Sequence, residues 1–223
     1  MMEPIVVAID GPAGAGKSTA SRALAQRLGY GYVDTGAMYR AVAVLAAERG
    51  IGLDDDAALG RFVAGLSFEL RDGGTALTVD GRDVSAAIRR PDAGELASRV
   101  STRPVVRERL VALQRALGAA GGVVMEGRDI GTVVFPDAPV KLYLTAAPAE
   151  RARRRAMELR TRGEQVDEAA LADDLAARDR RDSGRTNSPL RPATDAQIIN
   201  TTHLPFDEVV DLMEAAVRGH AAR

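Results

Sequence analysis

The sequence predicts an α/β domain: a five-stranded parallel sheet with helices on both faces, a small inserted β-containing subdomain and a helical, arginine-rich segment towards the C-terminus. Three observations predict it. Short apolar runs rich in β-branched residues recur along the chain and read as strands buried on both faces. Helical patterns separate them, and strands alternating with helices close into a parallel sheet. The chain has 223 residues, 46% of them hydrophobic, which suits one compact domain with a sizeable core.

The first run, Ile5 to Ile9, ends at Asp10-Gly11. The glycine-rich stretch Gly11 to Gly16 follows. Ser18 to Leu28 then shows helical spacing, with Ala20, Leu24 and Leu28 on one stripe and Gly29 as the stop. Tyr30 to Val33 is the second strand, closed by Asp34-Thr35-Gly36, and Ala37 to Arg49 is a helix ended by Gly50. Asp54 to Ala64 is helical. Leu66 to Leu70, Thr75 to Val79 and Arg82 to Val84 form a small meander, with turns at Asp72-Gly73-Gly74 and Asp80-Gly81. Residues from about 66 to 94 therefore read as an insert with its own sheet. A helix opens at Thr102-Arg103-Pro104, with proline in its first turn, and runs to about Leu117. Gly122 to Met125 is the third core strand, ending at Glu126-Gly127-Arg128-Asp129, and Val140 to Leu144 is the fourth. Pro148 opens a helix that Thr161-Arg162-Gly163 breaks. Asp167 to about Arg181 is another, Ala196 to Asn200 the fifth strand, and Pro205 to Val217 the closing helix. The core is expected over 1–65, 95–150 and 192–223, within one domain.

Composition narrows the function classes. Charged residues make up 27% and nearly cancel, for a net −1, which argues against nucleic acid as the main partner. There is no Cys, so disulfides are excluded. The N-terminus lacks the basic region and long apolar core of a signal peptide, and no apolar run approaches a membrane span. A cytoplasmic, monomeric protein without membrane or nucleic-acid partners is the expectation. Of the 30 basic residues only Lys17 and Lys141 are lysines.

Lys17 has a reason. Gly11-Pro12-Ala13-Gly14-Ala15-Gly16-Lys17-Ser18 matches the G-x-x-x-x-G-K-[ST] pattern of a P-loop, and Thr19 continues it. A strand precedes it and a helix follows, as the motif requires. Glycines let backbone N–H groups wrap an anion without Cβ clashes, and the helix N-terminus adds a favourable dipole. Lys17 would carry charge to the β- and γ-phosphates of a nucleoside triphosphate, and the Ser18 hydroxyl would ligate Mg²⁺. The motif does not choose between kinase, GTPase and motor ATPase. A GTPase reads guanine with an Asn-Lys-x-Asp or Thr-Lys-x-Asp element. Neither lysine stands in one, because Lys141 lies in Val140-Lys141-Leu142-Tyr143.

The arginines point to phosphoryl transfer, whose transition state spreads negative charge and gathers cations around it. Arg40 lies early in the second helix, and Arg128 follows a parallel strand, where α/β sheets bind ligands. Arg151, Arg154 and Arg155 share a helix at i, i+3, i+4 spacing. Arg178, Asp182 and Arg185 fall at i, i+4, i+7 and share a face if the helix continues that far. Arg153, Arg160, Arg162 and Arg180 read as solvated surface charges. Two readings of Glu126 stand: an acid reaching Mg²⁺ through water, or a strand-end salt bridge.

At these residues the sequence resembles the bacterial cytidylate kinase family of P-loop nucleoside monophosphate kinases, along nearly its whole length. The matching stretches are Ile9 to Thr19, Asp34 to Arg40, Ser98 through Pro104 to Arg107, Glu126 to Ala138, and Arg178 to Arg185. The most specific is Gly127-Arg128-Asp129-Ile130-Gly131-Thr132-Val133-Val134-Phe135-Pro136-Asp137-Ala138. The resemblance implies an ATP-dependent kinase of CMP and dCMP, with the insert binding the monophosphate and the segment of about 151–191 forming a lid. It implies that Thr35 and Arg40 contact the acceptor near its phosphate, and that Ser98, Arg107 and Asp129 hold the cytosine edge. Asp182 would bind ribose hydroxyls. Arg128, Arg178 and Arg185 would surround the acceptor and transferring phosphates, and Arg154 and Arg155 would close over ATP. Thr35 and Glu126 stand where the family also has Ser and Asp, and each keeps the chemistry.

The residue types suit cytosine, which offers an exocyclic amine and two acceptors. Uracil would set a carbonyl against Asp129 and leave the carboxylate unpaired. Two alternatives stand beside this reading: a P-loop kinase of another small acceptor such as UMP, AMP or shikimate, and a non-catalytic nucleotide-sensing or RNA-binding module. The basic surplus and aromatic platforms of the latter are missing.

Overall fold

A computed structural model describes residues 3–71, 74, 76–184 and 188–221. Its central sheet is parallel throughout, with strand order β2-β6-β1-β7-β8. The strands are β1 (Val6–Asp10), β2 (Gly31–Asp34), β6 (Val123–Glu126), β7 (Val140–Thr145) and β8 (Gln197–Asn200). Each starts or ends within a residue of its predicted limit. The sequence ambiguity at strand ends is ordinary, because burial and ladder pairing, not residue type, decide the last residue.

Burial on both faces is literal. Val7 and Ile9 of β1, Val124 of β6 and Leu142 and Leu144 of β7 enter one apolar cluster with Leu24, Val210, Met213 and Val217. Those partners lie on α1 (Lys17–Leu28) and α8 (Phe206–Ala221). Ala8, Val123 and Met125 point the other way, into a cluster with Met38, Val42, Leu59 and Leu110. That side is covered by α2 (Thr35–Glu48), α3 (Asp56–Ala64) and α5 (Pro104–Gly118). The period-2 alternation of a strand therefore feeds two cores from one apolar run.

The insert forms its meander: β3 (Phe68–Arg71), β4 (Ala76–Val79) and β5 (Arg82–Asp83) are antiparallel neighbours. The turn at Asp80-Gly81 takes positive φ at both residues. Asp72, Gly73 and Thr75, in the other expected turn and the strand after it, lie outside the described residues. Leu77, Val79 and Val84 join the same cluster as Met38 and Leu110, so the insert is sewn into the main core.

Two elements differ from the sequence reading. The helix α4 (Ala93–Val100) lies against α2, where no helix was expected. It is short, and its apolar positions Ala93, Ala97 and Val100 are small enough to hide its period. After β6 the chain makes a π-helical turn, Ile130–Val134, where sequence assigned no element. Near the C-terminus, α6 (Pro148–Thr161) and α7 (Glu168–Ser183) pack together, with Asp167 capping α7 through the amides of Ala169 and Ala170. Among the described residues no helix is long and apolar enough to cross a membrane.

Candidate active site

The C-terminal ends of β2 and β6, and the loops that follow β1 and β8, open on one cleft of about 1030 Å³. β1 has β6 and β2 on one side and β7 and β8 on the other, so its end lies where strand order reverses, the usual place for a ligand in such sheets.

The glycine-rich loop leaves β1 and enters α1 with Gly16 at the N-cap in the left-handed region, φ 84°. Gly14 also needs its freedom: φ is 76°, and a Cβ there would come within 2.9 Å of the Arg151 Cβ and backbone. Lys17 lies inside the loop and donates to the Pro12 carbonyl at 2.7 Å. Burial and the charge of Arg128 pull its pKa down to about 7, while Glu126 opposes them. Ala13, Gly14, Ala15, Gly16, Ser18 and Thr19 line the cleft. Gly11 and Pro12 form the root of the loop, outside the lining.

Opposite stands a hydroxyl and acid cluster. Glu126 ends β6 and is buried. The Tyr32 hydroxyl donates to its carboxylate, and Ser18 is also hydrogen-bonded to it. Burial and the nearby Asp34 raise the Glu126 pKa, against Lys17 and the two hydroxyls. Thr35 Oγ1 donates to the Glu126 backbone carbonyl at 2.7 Å. Asp34 caps α2 through the Ala37 amide and pairs with Arg40 at 2.8 Å. Burial pushes Asp34 up, but Arg40 and that amide more than offset it, and its pKa ends below the ordinary range. Ser18 and Glu126 together make an all-oxygen set suited to a hard cation. Among the described residues no group of three or more His, Cys, Asp or Glu side chains could hold a metal, so a cation here would draw most ligands from phosphate and water.

Deeper in the cleft, Arg107 of α5 pairs with Asp129 through Nη2, which also donates to Ser188 Oγ at 2.6 Å. Its Nη1 reaches the Tyr39 hydroxyl at 3.4 Å. Arg107 and Asp129 are only 8% and 6% exposed, so this is a buried, hydrogen-bonded ion pair. Ser98 Oγ of α4 is buried without a hydrogen-bond partner among the described residues. At the cleft's edge Arg128 Nε donates to Asp182 at 3.1 Å, and Arg178 Nε lies 4.0 Å from the same carboxylate. Asp182 is 2% exposed and sits one turn after Arg178 on α7. That helix ends at Ser183, and Arg185 lies outside the described residues.

The arginine-rich helix α6 divides its cations. Arg151 is buried, donates to the Ala13 carbonyl and pairs with Asp179. Arg154 pairs with Glu150 and donates to the Thr201 hydroxyl at 2.9 Å and carbonyl at 2.6 Å. Arg155 pairs with Glu158. Arg154 and Arg155 line the cleft, and so do Arg153 and Arg162, which sequence had left on the surface.

Sequence reasoning missed the wall made by Thr201, Thr202 and His203 after β8, and the hydrogen-bonding roles of Tyr32, Asp34 and Tyr39. A polar residue ending a parallel strand was the available signal for Asp34 and Thr201. Nothing local marks Tyr32 or Tyr39.

The cytidylate kinase family model matches residues 7–218. A cytidylate kinase from Pelotomaculum thermopropionicum is 51% identical over 214 residues, covering 95% of this chain and 95% of its own length. One from Geobacter sulfurreducens is 51% identical over 218 residues, covering 96% and 93%. Among solved structures, a gluconokinase from Sinorhizobium meliloti 1021 aligns with TM-score 0.52 at 15% identity, over 100% of this chain and 96% of its own. That likeness speaks for the fold alone, an α/β kinase fold around a P-loop. A family match over almost the whole chain, with relatives identical at half of their aligned positions, leaves one assignment: this chain belongs to the cytidylate kinase family.

Proposed function

We propose that this protein transfers the γ-phosphoryl group of ATP to CMP, giving CDP and ADP, and accepts dCMP as well. One observation carries the reading beyond family membership. The cleft that holds the phosphate loop also holds the buried Arg107–Asp129 pair with the Ser98 hydroxyl, which has no hydrogen-bond partner among the described residues. That is a donor and acceptor set complementary to the amine, N3 and O2 of cytosine.

In this reading the backbone of Gly11 to Thr19 cradles the ATP phosphates and Lys17 places its charge on the transferring group. Arg154 and Arg155 cover the nucleotide. Thr35 and Arg40 receive the CMP phosphate, with Arg128, Arg178 and Arg185 around the transferring oxygens. Asp182 takes the ribose hydroxyls, and Ser98, Arg107 and Asp129 take the base. Ser18, and Glu126 through water, would hold magnesium with ATP, and the ion would neutralise phosphate charge. The chain's residues do the rest by positioning and charge neutralisation, without a covalent intermediate. Residues 1–65, 95–150 and 192–223 serve as the core, about 66–94 as the monophosphate-binding insert, and about 151–191 as the lid.

An acceptor panel tests this. CMP, dCMP, UMP, AMP and shikimate are offered with ATP and magnesium, and ADP release is measured. CMP and dCMP are expected to lead. Equal turnover of UMP or AMP, or ADP release independent of acceptor, would overturn the reading.

A further inference from the structure

We propose that Asp10 is a positioning residue for acceptor recognition: its carboxylate ties the Arg128–Asp129 segment to the strand that carries the phosphate loop, so both sides of the cleft share one frame. The proposal rests on the roles given above to Arg128 and Asp129.

Asp10 is the last residue of β1, next to Gly11. It is 4% exposed and is not among the residues lining the cleft. Oδ1 accepts from the Ile130 amide and Oδ2 from the Gly131 amide, both at 2.8 Å. Immediately before it, the Ile9 carbonyl accepts from the Gly127 amide at 2.9 Å. Two successive residues of β1 therefore hold both ends of the segment 127–131. Arg128 and Asp129 lie between the anchors, and their side chains reach Asp182 and Arg107 across the cleft.

Neighbouring contacts leave that segment little freedom. A Cβ on Gly127 would lie 2.6 Å from Ile130 Cδ1 and 2.7 Å from Thr35 Oγ1. The Asp129 carbonyl accepts from the Val133 and Val134 amides at 2.9 and 3.2 Å, closing the π-helical turn. A carboxylate suits the job because it alone offers two unprotonated acceptor oxygens to two adjacent N–H donors; an amide side chain would present its NH₂ to one of them. Burial pushes the Asp10 pKa up to about 6, against the pull of the two amides, and Asp129 raises it further while Lys17 lowers it. The fold thus carries a buried acid beside a second acid, a destabilising arrangement whose return is a fixed turn.

The alignment it enforces matters because a base-reading carboxylate must meet its partner within a few tenths of an ångström to discriminate. Asp10→Asn keeps the volume and one acceptor. The KM for CMP is expected to rise about tenfold and the CMP-to-UMP ratio of kcat/KM to narrow at least about threefold, with the KM for ATP within about twofold. Amide exchange at Ile130 and Gly131 is expected to quicken. Gly131→Ala disturbs the same turn without touching the acid, since its Cβ would lie 3.2 Å from Lys141 Cγ and Cδ and 3.5 Å from Asp10 Oδ2. It serves if Asp10→Asn does not fold, and the same kinetic signature is expected from it. An unchanged CMP-to-UMP ratio, or a KM for ATP that rises as much as that for CMP, overturns the proposal. The unmutated protein's acceptor panel decides the activity separately. If it prefers another acceptor, the exchange rates of the Ile130 and Gly131 amides still decide whether Asp10 holds the turn, and unchanged rates overturn that as well.

Discussion

The two halves of the cleft are built on different principles. The donor half is one contiguous run, Gly11 to Thr19, in which the backbone binds and glycines clear the way. The acceptor half is assembled from α2, α4, α5, the segment after β6 and α7, and side chains do the recognising. A backbone site depends on a local conformation and needs little from distant residues. A side-chain site depends on a fold that brings residues 35 and 182 within one cavity. The donor half should therefore fail through loss of a charge or a collision with Cβ, and the acceptor half through loss of one partner in a buried pair.

Lys17→Ala gives the largest expected effect. It removes the one charge that the donor loop owns, and catalysis should fall by about three orders of magnitude or more. The fold should survive, because the loop's shape rests on the backbone; a thermal melt beside the ADP assay checks both. Near-normal turnover would remove the phosphate loop from the mechanism.

The seam between the halves responds to pH. Burial raises Asp10 from 3.8 to about 6, so the folded protein binds a proton at Asp10 that the unfolded chain releases between about pH 4 and 6. With the folded pKa above the unfolded one, the contribution of Asp10 to stability is full below pH 4 and falls as pH rises through 6. The two-unit shift corresponds to about 3 kcal/mol. Denaturant unfolding of the unmutated protein and Asp10→Asn across pH 4 to 7 isolates this loss in their difference. A difference independent of pH would show that Asp10 titrates as an ordinary exposed acid.

Asp129→Ala probes the acceptor half. It strands the Arg107 guanidinium beside Ser188 and Tyr39 and removes the acid that would meet the cytosine amine. A mispaired buried polar group costs about 1–3 kcal/mol, and more when it is charged as Asp129 is, so the unmutated protein should prefer CMP to UMP at least about tenfold in kcat/KM. Asp129→Ala should narrow that ratio, chiefly by harming CMP. An unchanged ratio would move base recognition elsewhere.

The same contrast decided what could be read in the sequence. Gly11 to Ser18 announces its chemistry locally, and the strand and helix around it followed from apolar periodicity. Arg107 and Asp129 are ordinary polar residues by position; only resemblance assigned them, and only the fold shows them paired. By sequence Asp10 reads only as the end of a strand, because its partners, two amides about 120 residues away, leave no local trace. The helix α4 was missed because alanines carry its buried stripe, and α7 was read well because Asp167 and its apolar spacing mark it.

The smallest expected effect is at the ribose. Asp182 is nearly fully buried, accepts from Arg128 at 3.1 Å and has Arg178 Nε at 4.0 Å. Its charge is therefore compensated before any sugar arrives. A nucleotide lacking the 2′-hydroxyl still offers the 3′-hydroxyl, so the deoxy substrate strands no uncompensated charge. Losing one hydrogen bond without leaving a bare ion costs about 0.5–1.5 kcal/mol. The preference for CMP over dCMP should thus stay below about tenfold in kcat/KM, smaller than that for CMP over UMP. Asp182→Asn should lower both activities together, because it also loosens Arg128 and Arg178, while the CMP-to-UMP ratio holds. A preference for CMP over dCMP well beyond tenfold would mean that the 2′-hydroxyl meets a group whose charge the two arginines do not balance. A CMP-to-UMP ratio that collapses in Asp182→Asn would mean that the ribose and base contacts act as one unit.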